Sequence, residues 1–215
     1  MINLYIGYDK RQPKNFEVMV KSLLKYNTEL INIIPIQTDL IKEYQKPAYP
    51  NQSTSFSFSR FLVPYLNKYS GWALYMDSDM LFTKDIAELW DLINNEHNVQ
   101  VVQHKDYTCT TEKFLNQKQH SYRRKNWSSV MLFNCERCIM LTPDYVNNAS
   151  ASDLHELKWA ESIGELPAKF NYLVGEQEPI SDVSVLHYTL GTPAYHQVDK
   201  SEHHELWSAT SESIS

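Results

Sequence analysis

The stretch GWALYMDSDMLF, Gly71 to Phe82, decides how the chain is read. WALYM is a continuous apolar run of strand length, the pattern of a strand buried on both faces in an α/β sheet. It ends at two carboxylates, Asp77 and Asp79, separated only by Ser78. In an extended chain residues i and i+2 point the same way, so the two acids leave one face together and repel. Taken alone, the pair reads equally as exposed carboxylates at a strand end. Ligands of open α/β sheets, however, bind in the crevice beyond the carboxyl ends of the strands. Two hard oxygen donors there suit Mg²⁺ or Mn²⁺, which takes one or two protein carboxylates and completes its shell with water and substrate phosphates.

Working outward, INLYIGY is a short apolar run, and PKNFEVMVKSLLKY from Pro13 repeats apolar residues at helical spacing. INIIPIQ (Ile31 to Gln37) is β-branched and short, so the opening reads as a βαβ unit. SFSFSRFLVPYLNKY predicts one helix, capped by Ser or Thr and kinked at Pro64, with Arg60 on its surface. DIAELWDL predicts a short helix, and VQVVQH, SSVMLFN and DVSVLHYTLG predict further strands. Strands alternating with helices define the α/β class. Residues 1–198 read as a single domain, and the polar, serine-rich 199–215 as a loose tail or domain boundary.

A chain of 215 residues with 42% hydrophobic and 21% charged residues has the composition of one globular domain. A net charge of −6 supplies no field for general nucleic-acid binding. The local basic run SYRRKNW, Ser121 to Trp127, reads first as a solvated loop and second as a phosphate or acceptor site. No apolar run approaches the roughly 20 residues of a membrane span, and MINLYIGYDK lacks the pattern of a signal peptide. A cytoplasmic protein beginning near Met1 is the expectation, and Cys109, Cys135 and Cys138, which cannot all pair, suit a reducing compartment. CERC has the spacing of half a metal or redox site without a second half, so two thiols near a helix start are the plainer reading. With 5 glycines and neither GxGxxG nor GxxxxGK[ST], phosphate charge must be met by a metal and side chains. The histidines of SEHHE and AYHQV read as tail rather than as a second metal site.

FSRFLVPYLNKYSGWALYMDSDMLFTKDIAELWDL resembles the central signature of family-8 glycosyltransferases, the group of glycogenin and bacterial lipopolysaccharide galactosyltransferases. IGYDK, SSVMLFNCER, LPAKFNYLVG and LHYTLGTPAY follow the same family order, so the resemblance runs from about Asn3 to Tyr195. It implies a GT-A fold: a Rossmann-like nucleotide-binding half with a central mixed, mostly parallel sheet flanked by helices. It also implies transfer of a hexose from a nucleotide-sugar donor, a UDP-sugar, to an acceptor hydroxyl of a glycan, with retention of configuration. Asp77, Asp79 and His187 would hold Mn²⁺ or Mg²⁺, and the imidazole favours Mn²⁺. Arg60 would lie near the donor sugar and phosphates, Ser78 beside them, and Tyr8 and Asp9 at the uracil. As a lone residue His187 reads as a core histidine, and Asp9 as a helix cap.

Departures from the family are specific. NWSSV puts Trp127 and Ser129 where Asn and Gly are usual, and Thr192, Pro193 and Ala194 stand where a diphosphate-binding lysine is expected. The acidic-amide motif near the anomeric carbon aligns with Asp153, with Glu161 or Glu165 as alternatives. No residue stands out as nucleophile or general base. Two rival readings stay open. One is a non-catalytic nucleotide-sugar-binding module; the other is a DxD phosphatase, disfavoured by Leu81 where its motif needs Thr or Val.

Overall fold

The computed structural model describes residues 1–47, 54–105, 123–195 and 203–213, together with the backbone of two short strands at 112–113 and 117–118. Cys109, His196 and the first two residues of SYRRKNW lie outside the described residues.

The chain opens with β1 (Ile2–Tyr8), α1 (Pro13–Tyr26) and β2 (Ile31–Gln37), the βαβ unit read from the sequence. Then come α2 (Val63–Leu66), β3 (Trp72–Met76), β4 (Met80–Phe82), α3 (Ala87–Trp90) and β5 (Val99–Val102). After the small antiparallel pair β6 (Glu112–Lys113) and β7 (Gln117–Lys118) follow β8 (Val130–Asn134), α4 (Pro143–Asn148), α5 (Ala151–His155) and β9 (Ile163–Leu166). β10 (Tyr172–Leu173), β11 (Val185–His187) and α6 (His204–Glu212) complete it. The main sheet has the order β2-β1-β3-β8-β5-β9, and β8 alone opposes the other strands. The carboxyl ends of β1, β3, β5 and β9 therefore share one edge. A second sheet, β10-β11-β4, stands beside it.

Side-chain alternation explains why this sheet is buried on both faces. Tyr5, Ala73, Tyr75, Met131 and Phe133 point into one apolar layer, with Phe61, Val146 and Trp159. Leu4, Ile6, Leu74, Met76 and Leu132 point into the other, with Met19 and Leu23 of α1. WALYM is thus apolar throughout because neither of its faces meets water.

Two expectations are corrected. The segment before β3 is not one kinked helix. A 3-10 turn at Ser59–Leu62 precedes α2, whose first turn contains Pro64. Proline lacks an N–H and is tolerated in a helix's first turn, where that N–H has no intrahelical partner, and the first α-type bond runs from Asn67 N–H to Val63 O at 2.8 Å. Lys68 and Tyr69 then take positive φ values of 57° and 51°, turning the chain into β3. The loose polar tail is corrected over His204–Glu212, which form a helix packed on α1. A single aromatic anchors it: Trp207 is 4% exposed in a cluster with Val18, Leu81 and Tyr188. Lys21 Nζ also donates to the carbonyls of Ser211 (3.3 Å) and Ser213 (2.8 Å).

Close packing at the end of β1 depends on Gly7. A Cβ there would lie 2.4 Å from the Phe56 ring and 2.7 Å from the Tyr75 hydroxyl. Gly7→Ala is expected to cost about 1–3 kcal/mol through overpacking, measured as a lowered urea midpoint at unchanged m-value.

Candidate functional site

β3 delivers its acids at the shared edge, where Asp77 N–H donates to Ser129 O at 3.0 Å and so extends the β3–β8 ladder by one step. Asp77 is buried and heavily engaged. Tyr75 Oη donates to its Oδ1 at 2.6 Å, Arg60 Nη2 lies 3.0 Å from the same oxygen, and Arg60 Nη1 donates to Oδ2 at 3.2 Å. Arg60 is 5% exposed, stacked over the rings of Phe56 and Tyr75, with Nη1 also donating to Ser128 O at 2.9 Å. The alternative reading of Arg60 as a surface helix arginine is therefore not met: the 3-10 turn directs its guanidinium inward. Burial pushes the Asp77 carboxyl above the ordinary carboxylate range, with Arg60 opposing and Asp79 adding to the rise.

Asp79 is positioned by the second sheet. β11 runs antiparallel to β4 with His187 opposite Met80, and Tyr188 N–H donates to Asp79 O at 2.9 Å. This register sets His187 Nε2 3.3 Å from Asp79 Oδ1. The orientation of His187 follows from its neighbours. Asn126 O accepts from Asn171 Nδ2 at 3.1 Å, which turns Asn171 Oδ1 toward His187 Nδ1 at 2.7 Å. Nδ1 therefore donates to Asn171, and Nε2 faces a carboxylate oxygen. An oriented imidazole whose other nitrogen donates to a neighbouring oxygen is also the usual form of a metal-ligating histidine. One ligand atom each from Asp77, Asp79 and His187 lie within 4.8 Å of one another, so the residues present fit a divalent ion. Ser78 is buried between the two acids.

Tyr8 and Asp9 lie at the same edge, at the end of β1. Tyr8 packs edge-on against Phe16, and Tyr8 and Asp9 line a cavity of about 430 Å³ with Thr38, Asp39, Tyr44 and Ser55. Asp9 accepts from the backbone N–H groups of Arg11 (2.9 Å) and Ser55 (3.1 Å) and from the Arg11 guanidinium. Burial alone would raise its pKa, but these hydrogen bonds, the Arg11 side chain first, hold it below the usual range. The helix-cap reading of Asp9 is not met, since Gln12 occupies that position.

Asp153 and Glu161 are not in the acid–histidine group. Asp153 lies in the first turn of α5, where Ser150 Oγ accepts from its N–H at 3.0 Å and donates to its Oδ2 at 2.7 Å, a reciprocal helix cap. Lys158 pairs with its other oxygen at 3.2 Å. Glu161 is exposed, as is Glu165 on β9. The basic run is not a solvated loop at Lys125, which is buried 3.7 Å from Glu176. Trp127 donates through Nε1 to His104 O at 2.8 Å, pinning the end of β5. Thr192, near the absent lysine, is buried and donates to Asn15 Oδ1 at 2.6 Å. CERC is no redox or metal half-site: both thiols are buried, and burial pushes Cys135 up to about 12 and Cys138 further still. His104 and His155 escaped the sequence reading, because nothing local marks a buried polar histidine.

A mostly parallel sheet with an Asp-Ser-Asp strand end facing a histidine is the arrangement expected of a glycosyltransferase of GT-A fold. The model of glycosyl transferase family 8 matches residues 1–142. Protein CDI of Arabidopsis thaliana is 38% identical over 217 residues, covering 95% of this chain and 83% of that protein. The chain belongs to glycosyl transferase family 8. Among solved structures, the glycosyltransferase GlyE of Streptococcus pneumoniae is similar with a TM-score of 0.66 at 17% identity over 99% of this chain. The chain spans 60% of the GlyE chain. The galactosyltransferase LgtC, solved with donor and acceptor sugar analogs, gives a TM-score of 0.63 at 12% identity, with 100% of this chain and 98% of that one covered. No helix among the described residues is long and apolar enough to cross a membrane.

Removing Arg60 leaves a buried carboxylate without its cation. Arg60→Ala is expected to cost about 3–5 kcal/mol in urea denaturation, and Asp77→Asn in the same background to recover a large part of it. Burial, then Arg60 and Lys46, pushes His155 down to about 3; burial, then nearby His187, pushes His104 down to about 4. Both folded values lie below the ordinary 6.5, so the stability they contribute is full above that pH and is lost as pH falls toward the folded values. Each histidine should steepen acid destabilisation by up to about 1.4 kcal/mol per pH unit, read from urea midpoints between pH 7 and 5.

Proposed function

We propose that this protein is a metal-dependent transferase moving a hexose from a UDP-sugar to an acceptor hydroxyl of a glycan, with retention of configuration. The observation that carries the reading is the grouping of Asp77, Asp79 and His187, with Nε2 of an Asn171-oriented imidazole 3.3 Å from Asp79 Oδ1. Asp77, Asp79 and His187 would hold Mn²⁺ or Mg²⁺, with Mn²⁺ favoured by the imidazole. When bound, the ion supplies charge neutralisation for a departing nucleoside diphosphate. Arg60 and Tyr75 keep the Asp77 carboxylate aimed at the shared edge, and Ser78 stands beside the donor. The cavity at Tyr8 and Asp9 takes the uracil, with the tyrosine ring as its apolar wall and the carboxylate as a hydrogen-bond acceptor. A cytoplasmic location belongs to the same proposal, supported by two buried free thiols.

The local engagement of Asp153 by Ser150 and Lys158, with the absent lysine, favours one second reading: a module that binds the donor without turning it over. The two readings part on slow hydrolysis of the donor without acceptor, which only the enzyme performs.

Calorimetry with UDP tests the donor site. UDP is expected to bind in the presence of Mn²⁺, and both chelator and Asp79→Ala should weaken it at least about tenfold, or about 1.4 kcal/mol. Equal UDP affinity with and without Mn²⁺ would remove the metal from the reading.

A further inference from the structure

A second polar constellation lies beside the acid–histidine group. His104 follows the carboxyl end of β5 and is 5% exposed. Its backbone is fixed at both groups: N–H donates to Val102 O at 3.2 Å, and O accepts from Trp127 Nε1. Gln177 Nε2 lies 3.0 Å from His104 Nδ1. The amide cannot be reversed without loss, because Gln177 Oε1 accepts from the Leu173 N–H at 2.9 Å. Gln177 is therefore the donor and Nδ1 the acceptor, so the neutral ring carries its proton on Nε2. The roles of Nδ1 are opposite in the two rings, accepting in His104 and donating in His187, although the rings lie within electrostatic reach of each other.

Among the described residues, the Nε2 of His104 is buried and has no hydrogen-bond partner. A buried donor left unmade costs about 1–3 kcal/mol, so such a group calls for an occupant. His104 lines a cavity of about 330 Å³ between the ends of β5 and β9, with Val102, Glu165, Leu166, Glu176 and Gln177. Small-molecule sites run from about 300 to 1,000 Å³. The wall combines apolar surface from Val102 and Leu166, an exposed carboxylate from Glu165, the polar side chains of Gln103, Lys105 and Glu176, and His104, whose Nε2–H needs an acceptor. A ligand with adjacent hydroxyls matches that set: one oxygen accepts from an N–H while another hydroxyl donates to a carboxylate.

We propose that His104 is a specificity-determining residue, its Nε2–H donating to a hydroxyl oxygen of a sugar ring in this cavity, with Gln177 as the positioning residue that fixes the tautomer. The inference rests on the transferase reading above, and the sugar is either that of the donor or that of the acceptor. A sugar epimer lacking a correctly placed oxygen leaves the donor unmade, and sites built on such a bond discriminate strongly against it.

The test compares wild type with His104→Leu, which removes the donor, and with His104→Gln, whose amide N–H can replace Nε2–H. Calorimetry uses UDP with Mn²⁺, then UDP-glucose and UDP-galactose with Mn²⁺; saturation-transfer NMR uses methyl glucoside and methyl galactoside, with and without UDP. Expected in H104L is an unchanged UDP affinity with a loss of about fivefold or more for one sugar probe, restored in part by H104Q. Loss confined to a nucleotide sugar assigns the donor sugar; loss confined to a glycoside assigns the acceptor. Long-range ¹H–¹⁵N correlation should show the proton on Nε2 of His104, and Gln177→Leu should redistribute it. Sugar affinities unchanged in H104L, no sugar probe bound by a wild type that binds UDP, or UDP affinity falling in step with the sugars would each overturn the inference. A wild type that binds no UDP but still binds a glycoside through His104 overturns the nucleotide reading alone.

Discussion

The buried carboxylate of Asp77 is the constraint around which the site is organised. A charge at the end of a strand that is apolar on both faces is costly to desolvate, and it persists only with partners in good geometry. Arg60 and Tyr75 supply them, and each in turn requires something of the fold. The guanidinium must point inward, which a 3-10 turn ahead of Pro64 achieves where a surface helix would not. The Tyr75 hydroxyl must reach past β1, which demands that residue 7 carry no side chain. Burial of one acid thus couples the conformation of three separate segments.

With Asp77 occupied by these partners, Asp79 is left to meet His187. The meeting is enforced by backbone, through the β4–β11 ladder and the Tyr188–Asp79 hydrogen bond. Asn171 then sets the histidine so that its Nε2 faces the carboxylate. The positive partner called for by the first acid of DSD is a side chain of this chain, Arg60, while the second acid faces His187. Nearby, Gln177 fixes the tautomer of His104 with the proton on Nε2.

How much could be read from the chain alone varied with the range of the interaction involved. β1, α1, β2, β3 and the acidic pair were legible because periodicity and a strand-end carboxylate pattern are local. β4, β9 and β10 were missed, since runs of two to four residues become strands only when partners exist to pair with. α6 was missed because its composition is polar and its stability comes from one tryptophan meeting α1 and the second sheet. Lys125 looked solvated in a run of basic residues, yet tertiary packing buries it beside Glu176.

The sequence by itself determined the α/β class, the strand that ends in Asp77 and Asp79, and the kinds of residue available to bind a nucleotide and a cation. Those features depend on side-chain alternation, helical spacing and chemical type, all of which act over a few neighbouring residues. The tertiary structure decided which acid is neutralised by Arg60, which faces His187, and that Asp153 caps a helix instead of joining them. It also decided the tautomer of His104 and the orientation of His187, since each is set by an amide distant in the chain. Long-range strand register and buried hydrogen bonds are properties of the packed molecule, and no local pattern specifies them.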